Sequence, residues 1–138
     1  MKFHYQNPFP VSEDKTDYHL LTEDYIESSE FDGKEIIKVL PDGLKLLATQ
    51  AMKDVSFLLR PHHQDLVGKI LRDPEASEND KIVARTMLIN AVISTERKLP
   101  FCQDTGTAII FAQKGQQIWT DGNDAELLSA GIFKTYQD

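Results

Sequence analysis

The stretch Pro100-Phe101-Cys102-Gln103-Asp104-Thr105-Gly106-Thr107 gathers a thiol, an amide, a carboxylate and two hydroxyls into one short loop beside a glycine. Such a loop can present several groups to one ligand. Gly106 permits a left-handed turn or a close backbone approach, and successive N–H groups in such a turn form a concavity suited to an anion, a small dicarboxylate among them. Cys102 admits three readings: a buried structural thiol, a nucleophile, or one ligand of a metal centre completed from elsewhere. A nucleophile would have to work beside Asp104, whose negative charge disfavours a thiolate. A metal ligand has no second cysteine to join it here, and neither CxxC nor HxxxH occurs. Asp104 can move a proton in a desolvated loop or cap the backbone of its own turn, and the hydroxyls of Thr105 and Thr107 carry the same two readings.

Arg60-Pro61-His62-His63 is a second chemical cluster. A guanidinium at a helix end with adjacent imidazoles can bind an anion or orient a catalytic group. Neighbouring histidines on a helix point in different directions, so at most one faces any site. The alternative is a helix C-terminus stabilised by Arg60, with solvated imidazoles.

The elements that must position these groups are legible from periodicity. Tyr18-His19-Leu20-Leu21, Tyr25-Ile26 and, after the Asp32-Gly33 turn, Glu35-Ile36-Ile37-Lys38-Val39 read as a small antiparallel layer. With Asp42 as N-cap, Leu44, Leu47, Ala48, Ala51, Val55, Leu58 and Leu59 predict an amphipathic helix to about Arg60. Leu66, Val67, Ile70 and Leu71 predict a shorter helix from Pro61 to near Asp73. A third helix opens on a capping box of Ser77 and Asp80, its apolar face formed by Ile82, Val83, Met87, Ala91 and Val92. The β-branched run Thr107-Ala108-Ile109-Ile110-Phe111-Ala112 reads as a buried strand, which would hold the Cys102 loop at a sheet edge. Lys114-Gly115 marks a turn, Gln117-Ile118-Trp119 a short returning strand, and Asn123 caps a last helix with Glu126 at its third position. That helix runs to Asp138 without a C-cap glycine, basic last turn or polar tail, as expected of the front part of a longer chain. The fold class is α+β: a helix-rich domain with a small β-sheet, one domain over residues 1–138 with 1–17 as an extended, aromatic and proline-containing arm.

Composition bounds the function classes. Fifteen Lys and Arg against 22 Asp and Glu leave a net charge of -7, which repels phosphate backbones and anionic lipid and argues against nucleic-acid and membrane partners. No apolar run approaches the roughly 20 residues that cross a bilayer. The single cysteine excludes an intramolecular disulfide, and the amino terminus has no apolar signal core, so the chain reads as cytoplasmic.

Together these residues go beyond composition. Leu99-Pro100-Phe101-Cys102-Gln103-Asp104-Thr105-Gly106-Thr107-Ala108 resembles the Leu-Pro-x-Cys-Gln-Asp-Thr-Gly-Thr-Ala signature of the class I, iron–sulfur-dependent fumarate hydratases. Phe3-His4-Tyr5-Gln6, Phe57-Leu58-Leu59-Arg60-Pro61, the stretch from Asp73 to Lys81, Lys114-Gly115-Gln116 and Trp119-Thr120 extend the likeness over essentially the whole chain. The aromatic, proline-containing start is similar to that of the single-chain bacterial members. The resemblance implies reversible hydration of fumarate to L-malate on a [4Fe-4S] cluster held by three cysteines, of which Cys102 matches the first. It also implies that Gln103 and Asp104 line the substrate site, with Asp104 a proton donor to the departing hydroxyl or its hydrogen-bonding partner. The second and third cluster cysteines and most of the dicarboxylate-clamping arginines are missing here. The rest of the same polypeptide, or a partner subunit, would have to supply them, in what the resemblance implies is a homodimer. Tartrate dehydratases share this chemistry and are an alternative; a non-catalytic helical binding module is another.

Overall fold

Asp32 and Gly33 both take left-handed backbone, with φ of 51° and 68°. Two consecutive positive φ values give the turn whose twist matches a hairpin, and Asp-Gly is a sequence that adopts it cheaply. The turn joins β1 (Ile26–Phe31) to β2 (Lys34–Val39), antiparallel in the register Ile26 to Val39 and Phe31 to Lys34. In the computed structural model, residues 3–7, 18–102 and 106–137 are described. β3 (Ile118–Trp119) joins the other edge of β2 in parallel, giving the order β1-β2-β3. The Ile37 N–H donates to the Gln117 carbonyl at 2.9 Å, and the Trp119 ring leans on Phe31 with centroids 6.2 Å apart. The returning strand therefore extends the hairpin sheet rather than forming a hairpin of its own. Residues 18–21, expected in the layer, form no regular element.

Among the described residues four helices follow the hairpin: α1 (Pro41–Phe57), α2 (Pro61–Ile70), α3 (Glu78–Ser94) and, after β3, α4 (Asp124–Gln137). The fold is the expected α+β domain. α1 starts one residue before Asp42: Leu40 is its N-cap, Pro41 its first residue, and Asp42 supplies charge in the first turn. Proline suits that position because the N–H it lacks would have had no partner in the helix. The Leu40 N–H donates to the Tyr25 carbonyl at 3.0 Å, tying the sheet to the start of α1.

α1 packs most extensively against α4, and small residues make that possible. A Cβ on Gly131 would run into the Lys45 carbonyl oxygen and come within 2.8 Å of the Ala48 Cβ, so the two backbones cross with no room to spare. Thr49 and Thr135 bridge the crossing with hydroxyls that reach backbone carbonyls of the opposite helix. Leu127 closes the first turn of α4 by donating to the Asn123 carbonyl at 3.0 Å, consistent with Asn123 as cap, and Lys134 gives the last turn the basic residue not expected there.

α2 packs on α3, whose capping box forms as expected: the Asp80 N–H donates to the Ser77 hydroxyl and the Asp80 carboxylate accepts from the Ser77 N–H at 3.0 Å. The buried face of α3 is Ala84, Ala91 and Ser94, so of the face expected only Ala91 is buried, while Ile82 and Val92 are 64% and 69% exposed. Residues 107–112 form no strand; Ile109 and Phe111 are 71% and 87% exposed, because no described strand pairs with them. Of the amino-terminal arm, residues 3–7 are exposed and without regular structure, and the rest lies outside the described residues.

Candidate functional site

α1 ends at Phe57, short of Arg60, with no basic residue in its last turn to balance the partial negative charge of its carbonyls. Groups from α3 and from residues 95–101, the strap after it, meet that need. The Ser94 hydroxyl, 1% exposed as a residue, donates to the Phe57 carbonyl at 2.7 Å. Arg97 turns the chain back with φ 57°, an uncommon conformation for a non-glycine residue. Its guanidinium reaches the Asp54 carboxylate at 2.8 Å, bringing positive charge to the α1 terminus. Burial pushes the Asp54 carboxyl up, but hydrogen bonds from Arg97 and Gln50 and the charges of Arg97 and His19 outweigh it, so the group sits below its ordinary 3.8.

The strap ends on Phe101, which is held from both sides. Its N–H donates to the Ser56 carbonyl at 3.0 Å, and its carbonyl accepts from the Asn90 side-chain amide. Cys102 follows at once and is an exposed free thiol. Gln103, Asp104 and Thr105 lie outside the described residues. A Cβ at Gly106 would meet open space. Beyond the loop, the Lys114 ammonium contacts the Thr120 hydroxyl at 2.8 Å and the Asp124 carboxylate at 2.6 Å. Hydrogen bonds from Lys114 and Thr120, with the Lys114 charge, hold the Asp124 carboxyl below its ordinary value.

The second chemical cluster changes its place. Arg60 is the N-cap of α2, not the end of a preceding helix, and His62 and His63 are exposed in the first turn. Among the described residues no group of three or more His, Cys, Asp or Glu is arranged to hold a metal ion. Asn90, Ser56, Asp54 and Arg97 were not singled out from sequence. Only the fold brings them to the Cys102 strap, and no local pattern marks them.

Comparison with known proteins decides the family. Residues 45–138 match the family model described as fumarate hydratase (Fumerase). The chain belongs to the fumarate hydratase family. It is 57% identical over 134 residues, 97% of its length, to both the aerobic and the anaerobic class I fumarate hydratase of Escherichia coli K12. It is 47% identical over 129 residues to the mitochondrial fumarate hydratase 1 of Leishmania major. The chain spans about a quarter of the length of these fumarate hydratases, 24% in each case. No helix among the described residues is long and apolar enough to cross a membrane. An exposed thiol on backbone held by two helices is one soft donor of the kind an iron–sulfur group takes. That donor set fits one corner of a cluster and not a complete site.

Proposed function

We propose that this chain is the amino-terminal part of a hydro-lyase that reversibly adds water to fumarate to give L-malate. The observation that carries the reading is the 57% identity to class I fumarate hydratases over nearly the whole chain, including the Cys102 loop. A second observation supports the dependence on further polypeptide: apolar side chains on the described helices, Ile82, Val92 and Phe133 among them, are exposed.

In this reading Cys102, as thiolate, is one of three cysteine ligands of a [4Fe-4S] cluster; the other two come from the rest of the polypeptide or a partner subunit. When bound, the cluster supplies Lewis acidity toward the substrate hydroxyl and carboxylate without redox change. Gln103 presents a side-chain amide that can donate to a substrate carboxylate oxygen. Asp104 handles the proton at the C2 oxygen: it donates to the hydroxyl leaving malate and, in reverse, takes a proton from the oxygen of the water being added. The protein acts in the cytoplasm as a homodimer, without nucleic-acid or membrane partners.

The test is made on the full-length polypeptide, purified without oxygen. Fumarate hydration is expected with cluster present, loss of turnover on iron removal, and recovery on reconstitution. Full turnover after complete iron removal overturns the reading, and turnover of tartrate in preference to malate reassigns the substrate.

A further inference from the structure

The peptide group joining Phe101 to Cys102 contains the Phe101 carbonyl and the Cys102 N–H in one plane. The Asn90 side-chain amide, from α3, donates to that carbonyl. The Phe101 N–H is fixed separately, by the Ser56 carbonyl at the end of α1. Both backbone hydrogen-bonding groups of Phe101 are thus committed to different helices, and the plane that carries the Cys102 nitrogen cannot rotate freely. Only the torsions of Cys102 itself remain to aim its sulfur. A soft ligand that must meet a cluster at one fixed distance benefits from such a mount, because a ligand held in place loses little freedom on binding.

We propose that Asn90 is a positioning residue for Cys102, acting through the Phe101 carbonyl to hold the thiolate where the cluster requires it. The proposal rests on the reading of Cys102 as a cluster ligand. Asn90→Ala leaves the Phe101 carbonyl without its side-chain donor, but Asn90 is exposed and Phe101 only half-buried, so thermal stability should stay near that of wild type. Its effect belongs instead in the rate at which the metal is lost.

The experiment uses the full-length protein with its cluster reconstituted, a ferrous-iron chelator as probe, and the rate of iron release as readout. Asn90→Ala removes the side chain; Asn90→Asp keeps its shape but, as a carboxylate, cannot donate. Thr86→Ala, one turn earlier on α3, is the control. Iron is expected to leave Asn90→Ala and Asn90→Asp about 10-fold faster than wild type, with Thr86→Ala unchanged and the thermal midpoints of all three close together. Release at the wild-type rate from both variants overturns the proposal. So does fast release from Asn90→Ala alone, since that would make bulk rather than the donated hydrogen bond the cause. If either variant fails to fold, hydrogen exchange at the Phe101 amide of the other decides whether the mount has loosened, and unchanged exchange counts against the proposal. Wild-type protein that takes up no iron overturns the reading of the site and the role of Asn90 with it.

Discussion

The Gly131 carbonyl oxygen lies 3.0 Å from the Thr49 hydroxyl, across the point where α4 crosses α1. The contact is available only because Gly131 has no side chain: a Cβ would overlap the Lys45 carbonyl, which is backbone and cannot swing aside. Gly131→Ala should therefore destabilise the chain even though alanine favours a helix over glycine by about 1 kcal/mol. Overpacking of this kind costs about 1–3 kcal/mol, and the involvement of backbone puts the net loss toward the upper part of that range. Urea unfolding read by circular dichroism measures it. A variant as stable as wild type would mean that α4 can move away from α1 at no cost.

The ion pair between Arg97 and Asp54 gives stability a pH dependence of definite sign. Asp54 is held below its ordinary 3.8 in the folded chain, so the folded state binds the proton less readily than the unfolded state. The contribution is complete above the unfolded value near 3.8 and is lost as pH falls through the lower folded value. Both side chains are partly solvated, which limits the pair to about 0.2–1 kcal/mol. Asp54→Asn should lower stability by that amount at pH 7, with the difference from wild type vanishing in strong acid. A difference that persists at the acid end would show that Asp54 acts through shape and not charge.

What could be read in the sequence was what a few adjacent residues decide alone. Asp32-Gly33 carries its own turn geometry, and Ser77 with Asp80 closes a capping box regardless of what packs nearby, so the hairpin and the start of α3 follow from local chemistry. Apart from Ala91, the buried face of α3 did not follow. Apolar residues lie on most sides of that helix, and the face that packs is chosen by where small side chains admit close approach, at Ala84, Ala91 and Ser94. Residues 107–112 were misread for a related reason: a β-branched apolar run specifies a preference for burial but cannot supply its own pairing partner. At the candidate site the setting of Cys102 beside Gln103 and Asp104 was legible in the sequence. Its mount was not, since Ser56, Asn90 and Arg97 come together only when α1 and α3 are in place.

Replacing Cys102 tests the ligand reading directly. Cys102→Ser in the full-length protein should lower the iron retained after reconstitution and abolish fumarate hydration, because a neutral, hard hydroxyl is a poor substitute for a soft thiolate. Compared without iron, the two proteins should have thermal midpoints close together, because exchanging sulfur for oxygen changes little volume. Iron per chain is the deciding quantity. Wild-type iron content in the variant would remove Cys102 from the ligand set and leave it an ordinary surface thiol.

Asp104 lies two residues beyond Cys102 in the loop, and its two readings differ in what a neutral replacement should do. As the group that moves the proton at the substrate C2 oxygen, it depends on a titratable carboxyl, so Asp104→Asn should keep the iron but slow turnover by about 10²–10⁴-fold. A cap of the loop backbone needs only a side-chain oxygen that accepts, which asparagine also has. The loss should fall on kcat more than on KM, since the amide can still hydrogen-bond the substrate. Steady-state kinetics of the reconstituted variant, normalised to its iron content, separate the two roles. Full turnover would leave Asp104 as the residue that shapes the loop, and proton transfer would then belong to a group outside this chain.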